Sequence, residues 1–129
     1  GNRKIFLRGL NDLIYSLANK GLRVYVVGDV PEIGFRPRTI YARDVMLDRV
    51  KSKNYEVHTD DTVNTVMKAY INSLDQPNIQ FIDLAQTLCP NNICHLLGDG
   101  NKKLIYIDGD HISIYGAQKL AYLISNSLK

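Results

Sequence analysis

No stretch of this sequence approaches the ~18–20 consecutive apolar residues that a transmembrane helix needs. Nothing at its start has the charged, apolar and small-residue order of a signal peptide. Basic residues are scattered rather than clustered, and Arg36 and Arg38, interrupted by Pro37, are the nearest thing to a patch. A nucleic-acid footprint needs denser basic stripes with interleaved aromatics, so the modest net charge of +3 argues against a nucleic-acid partner. Internal repeats, low-complexity tracts and linker-like runs are also missing. That leaves one domain of 129 residues, long enough to bury one core. The chain opens Gly1-Asn2-Arg3 without a methionine, which reads as a cut from something larger. Any export or anchoring signal of that parent would lie upstream.

What is present is an ordinary globular composition, 45% hydrophobic and 22% charged. Helical and strand patterns alternate, which favours an α/β fold with a mostly parallel sheet. Phe6, Leu10, Leu13, Ile14 and Leu17 recur at helical spacing and predict a helix from about Lys4 to Lys20, stopped by Gly21. Val24-Tyr25-Val26-Val27 is a short continuous apolar run, as in a strand buried on both faces. A Pro-containing loop follows from Asp29 to Pro37, and then one or two weakly periodic helical turns between Ile40 and Val50. A second helix starts near Asp60 or Asp61, with Val63, Val66, Met67, Tyr70, Ile71 and Leu74 on one face. Acids at its start suit the positive end of the helix dipole. Residues 79–84 and 103–107 read as the second and third strands. A last helix runs from Ser113, a good N-cap, with Ala117, Leu120, Ala121, Ile124 and Leu128 as its buried stripe.

In such a fold the chemistry sits in the loops at the strand ends. The informative stretch is Leu104-Ile105-Tyr106-Ile107-Asp108-Gly109-Asp110-His111-Ile112-Ser113-Ile114-Tyr115-Gly116-Ala117. A general-base histidine presents one ring nitrogen to a nucleophile while the other donates to a carboxylate. An Asp-x-x-His turn does this locally if it curls the carboxylate back to the imidazole. Asp108 has that spacing, whereas Asp110 is adjacent to His111 and is expected to point elsewhere. As a bare pattern Asp-x-x-His is common, and a solvated acidic turn is the alternative. The strand before it, the Ser113 cap and the Gly116-Ala117 pair make the combination more specific.

This block resembles the last conserved block of the SGNH (GDSL-like) hydrolase superfamily. More narrowly, it resembles the C-terminal SGNH domains fused to bacterial membrane acyltransferases of the acyltransferase-3 family, which O-acetylate surface polysaccharides. Those domains read Tyr-x-Asp-x-x-His-Leu-Ser-x-x-Gly-Ala. The chain matches at Tyr106, Asp108, His111, Ser113, Gly116 and Ala117, with Ile112 in place of Leu. Val26 to Glu32 and the pair Cys89 and Cys94 also resemble that family, so the likeness spans roughly residues 7–124. The resemblance implies a three-layer α/β/α, SGNH/flavodoxin-like fold. It implies His111 as catalytic base and Asp108 as its orienting acid, with neither metal nor bound cofactor. It further implies an acyl donor and a polysaccharide acceptor as partners, and a membrane-anchored parent facing the periplasm or the extracytoplasmic side.

The Gly-Asp-Ser block that carries the family's nucleophile is missing, as are the Gly and Asn of its oxyanion hole. Gly28-Asp29-Val30 ends the wrong strand and has Val at the nucleophile position, while Asn11-Asp12 falls inside a predicted helix. The chain is therefore expected to be the C-terminal portion of one SGNH-like domain, inactive alone. A free esterase or a non-catalytic binding module remains an alternative.

Cys89 and Cys94 flank a turn-forming Pro-Asn-Asn and suit a disulfide in an oxidising compartment, with two reduced thiols as the alternative. A zinc site from Cys89, Cys94 and His95 lacks a fourth ligand. His58 and His95 have no partner motif. Glu32, Arg36 and Arg38, after the first strand, are candidates to line an acceptor site, if they are not simply an exposed loop face.

Overall fold

A computed structural model describes residues 1–129. In chain order the elements are α1 (Asn2–Ala18), β1 (Val24–Val27), α2 (Pro37–Met46), β2 (Glu56–His58), α3 (Thr62–Ser73), β3 (Ile79–Ile82), α4 (Leu84–Leu88), β4 (Ile93–His95), β5 (Leu97–Gly98), β6 (Lys103–Leu104) and α5 (Ile114–Ser127). Single 3-10 turns cover Val50–Ser52 and Pro90–Asn92.

The centre is the parallel pair β1–β3, in register from Val24 opposite Ile79 to Val27 opposite Ile82. Strand alternation sends Val24, Val26, Ile79 and Phe81 toward α1 and α3, where they meet Ile14, Ala18 and Ile71. Tyr25 and Ile82 face the larger core, which holds Leu84, Leu88, Ile105, Tyr106 and Leu120 of α5. Helices thus pack on both faces of the pair, as an α/β fold requires. The remaining strands pair antiparallel, β2 with β4 and β5 with β6, so the parallel sheet is represented by a single pair.

Several expected elements differ. Residues 103–107 do not join β1 and β3: only Lys103–Leu104 is strand, paired with β5. Ile105 and Tyr106 are buried, and the backbone N–H groups of Ile105 and Ile107 are satisfied away from β1 and β3. The Ile105 N–H donates to the Leu96 carbonyl at 2.9 Å, and the Ile107 N–H to the His111 carbonyl at 2.9 Å. The second strand ends at Ile82 because the Asp83 carboxylate caps α4, accepting from the Gln86 N–H at 3.2 Å. β1 is not buried on both faces; Val27 is 47% exposed. On α1 the stripe is covered only toward its C-terminus, at Ile14 and Ala18, while Phe6 and Leu13 stand in solvent. On α3, Val63 and Val66 are exposed, and Asn64 and Ile71 are the buried residues. On α5 the covered stripe is Gly116 and Leu120 with half-buried Leu123 and Ile124, whereas Ala117, Ala121 and Leu128 are exposed. Gly116 is where α5 crosses the strand segment: a Cβ there would lie 2.5 Å from the Ile105 carbonyl oxygen.

No helix is long and apolar enough to cross a membrane.

Candidate active site

The Asp-x-x-His turn is held at both ends by backbone bonds. Tyr106 bridges to Ile112, and the Ser113 N–H donates to the Ile105 carbonyl at 2.8 Å. Ser113 caps α5 as expected: its hydroxyl accepts from the Gly116 N–H at 3.0 Å and donates to the Leu104 carbonyl. Below the turn lies Tyr106, fully buried, whose hydroxyl donates to Cys89 Sγ at 3.3 Å. Cys89 and Cys94 form a disulfide inside this core. The loop between them turns through Asn91 and Asn92, both at positive φ (55° and 61°), where asparagine is tolerated better than most residues.

Within the turn, Asp108 Oδ1 accepts the backbone N–H of His111 at 2.9 Å and that of Asp110 at 3.2 Å. These two bonds curl the chain so that the same carboxylate oxygen lies 2.9 Å from His111 Nδ1. The curl also corrects the expectation for Asp110. Its Oδ1 comes to 2.8 Å of the same nitrogen instead of pointing away, because the tight turn brings three successive polar side chains together. The bonds from the Asp110 N–H, the His111 ring and the His111 N–H hold the Asp108 carboxyl down to about 2. The hydrogen bond and charge of Asp108, followed by the charge of Asp110, raise His111 above its ordinary value. The imidazole is 71% exposed. With Nδ1 taken by carboxylates, Nε2 on the far side of the ring is the nitrogen left for chemistry. Asp108, Asp110 and His111 are also the residues whose donor atoms gather closely enough to offer three ligands to a metal ion, all within 4.8 Å of one another.

The turn is anchored to the loop after β1, where the Ile33 N–H donates to the Gly109 carbonyl at 2.8 Å. That loop is pinned in turn by Asn64, only 3% exposed, which sequence reasoning missed because it sits inside an apolar helix pattern. Its amide oxygen accepts the Asp29 N–H at 2.7 Å, and its amide nitrogen donates to the Asp29 carbonyl and to Asp61 Oδ1, each at 2.8 Å. Gly28 has a structural part here: a Cβ on it would come within 2.6 Å of Asn64 Oδ1.

Of the loop candidates, Arg36 and Arg38 line an open basin together with Asp108, joined by Arg43 and Met46 of α2. Glu32 does not line it; its backbone carbonyl accepts from the Thr59 hydroxyl. His58 and His95 lie on the β2–β4 ribbon, His95 paired with Glu56 at 3.1 Å. Asn11 accepts from the Tyr70 hydroxyl at 2.7 Å within the α1–α3 packing.

A family model described as an SGNH domain (fused to AT3 domains) matches residues 2–126. No curated protein and no solved structure matches the chain.

Proposed function

Because the chain belongs to the SGNH domains that are fused to AT3 domains, and is thereby an acyltransferase-associated module, we propose that it supplies the His and Asp of a serine-dependent O-acyl transfer. A serine carried upstream would attack the carbonyl carbon of an acyl donor and pass its proton to Nε2 of His111. His111 would return that proton to the departing group. A sugar hydroxyl of a cell-surface polysaccharide would then attack the acyl-serine, its proton going to His111 and on to the serine oxygen. Asp108 fixes the ring tautomer and balances the imidazolium. The transferred group is acetyl, and the site faces the extracytoplasmic side of a membrane-anchored parent. The observation that carries this reading is the 2.9 Å contact between Asp108 Oδ1 and Nδ1 of an otherwise exposed His111. The buried disulfide supports the oxidising compartment.

Three further observations support a chain that is the C-terminal portion of a larger three-layer α/β/α domain. The accessible surface of 8798 Å² is about a quarter more than the ~6,900 Å² that scaling gives for a complete domain of this mass. Phe6, Val63 and Val66 are exposed along one groove between α1 and α3. The β1–β3 pair has no third strand, although a two-stranded sheet is marginal alone and parallel sheets are normally covered. The serine-bearing portion would cover these surfaces.

The test is made in the intact acyltransferase. His111→Ala is expected to lower acyl transfer by about three orders of magnitude or more, with Asp108→Asn severe but milder. An unchanged rate in His111→Ala would assign the turn a purely structural role.

A further inference from the structure

Beside the dyad lies a basin of about 720 Å³ with an unusual wall. Arg36, Arg38 and Arg43 line it, Met46 and Ile107 give it apolar ground, and Asp108 stands at its rim. The wall follows from how α2 sits. Thr39, Ala42, Arg43 and Met46 fall at helical spacing on one face, while Pro37 and Asp44 turn into the protein. The outward face holds no core residue, and Met46 is 85% exposed.

A solvated helix face is the ordinary explanation of exposed arginines, and it normally mixes charges of both signs. Here the only acid of α2 is Asp44, which is fully buried and already engaged. Lys53 Nζ lies 2.9 and 3.0 Å from its two oxygens, and the Tyr55 hydroxyl donates at 3.0 Å. Arg43 reaches Asp44 only at 3.6 Å through Nε, and neither Arg36 nor Arg38 is in an ion pair. The one carboxylate on the basin rim, Asp108, holds His111 and two backbone N–H groups through a single oxygen, Oδ1. The three arginines that line the cavity therefore outnumber the one carboxylate on its rim.

We propose that this basin binds an oxyanion carried by the acceptor, so that the acceptor is an acidic saccharide, a uronic acid or a sugar phosphate, held with a hydroxyl directed at His111. The planar guanidinium fork matches carboxylate and phosphate alike, with charge-assisted bonds roughly twice as strong as neutral ones. Met46 and Ile107 suit the C–H face of a pyranose ring. The fate of the hydroxyl rests on the acyl-transfer reading above; the anion site does not.

The experiment titrates the isotopically labelled intact domain, serine-bearing portion included, with trigalacturonate, mannose 6-phosphate and neutral maltotriose, following backbone amides at low ionic strength, where exposed charges are least screened. Saturable shifts are expected in Arg36 to Arg43 and in Ile107 and Asp108, with maltotriose about tenfold weaker or worse. The double variant Arg36→Gln/Arg38→Gln should lose about tenfold in affinity with its amide dispersion intact, while Arg23→Gln, which lies outside the basin, should not. A response to trigalacturonate alone assigns a uronic acid, one to mannose 6-phosphate alone a sugar phosphate, and one to both supports the anion site in common. Equal binding of maltotriose, shifts confined to other surfaces, or full affinity in the double variant would overturn the proposal. Lost acyl transfer in the His111→Ala parent, with no saccharide binding here, would remove the basin and leave the dyad. Binding here, with a fully active His111→Ala parent, would do the reverse.

Discussion

At the scale of single residues, the site depends on one oxygen. Asp108 Oδ1 receives two backbone N–H groups and the imidazole, so the bonds that shape the turn also orient the ring. Asp110 adds a second negative charge at the same nitrogen. Both carboxylates favour the imidazolium, so the midpoint of His111 in an NMR titration of its ring protons should lie above the ordinary 6.5. Asp108→Asn keeps an oxygen for the two backbone bonds but removes the charge, and should bring the midpoint down. Asp110→Asn should move it less. A midpoint at or below 6.5 in the unmodified chain would contradict the pairing. The linkage has a definite direction. The stabilisation from charged His111 is fully present below 6.5 and fades as pH rises through its raised value. That from Asp108 is present above 3.8 and is lost as pH falls toward 2. Because a general base must be neutral, the same upward shift should push the acid limb of the parent's activity to higher pH.

At the scale of elements, the Asp108–His111 turn rests on the cross-linked segment beneath it. Cys94 lies on β4, paired with Val57, and Cys89 touches the hydroxyl of Tyr106, two residues before Asp108. Replacing both cysteines with alanine should lower unfolding stability by roughly 2 kcal/mol from loop closure alone. Urea denaturation would read this as a lower midpoint at unchanged slope. Thiol titration of the unreduced, denatured chain should find almost no free sulfhydryl; two reactive thiols would remove the cross-link and the oxidising compartment with it. The helices show a different dependence. Their apolar stripes were visible as patterns, yet Phe6, Leu13, Val63 and Val66 remain in water. A stripe records which residues can be buried, while coverage needs a neighbour at the right place. The 103–107 segment reads as a strand for a similar reason: Ile105 and Tyr106 are apolar because they fill the core, while their backbone bonds run to Leu96, Ile112 and Ser113 rather than to β1 or β3.

At the scale of the whole molecule, the excess surface and the single parallel pair set what the chain can do alone. Every ingredient of the dyad is present, but no serine lines the basin, and the hydroxyl of Ser113 is committed to the cap of α5. The chain by itself should therefore not hydrolyse p-nitrophenyl acetate faster than free imidazole does, since acyl-enzyme formation needs the nucleophile and its oxyanion donors. Saturable turnover lost in His111→Ala would reveal a nucleophile within these residues and make Ser113 the first to mutate.

The sequence by itself determined the Asp108–His111 pairing, the Ser113 cap and the cross-linked Cys89–Cys94 turn. Each is closed within five residues, so no contact with a distant element is needed to form it. It also placed the strands β1 and β3 and the helices α1, α3 and α5, through continuous apolar runs and helical periodicity, while α4 and the strands β2, β4 and β5 carried no such pattern. Only the tertiary structure decided the rest. Asp110 joined the imidazole because the turn is tighter than adjacency suggests. Asn64 became a pin for the loop after β1 because α3 packs against that loop. Arg36, Arg38 and Arg43 came to share one basin with Asp108 because α2 hides Asp44 and turns its cationic face outward. The last two placements join residues more than thirty positions apart or depend on which side of a helix is covered, and that is fixed by packing between elements rather than by the pattern within any one of them.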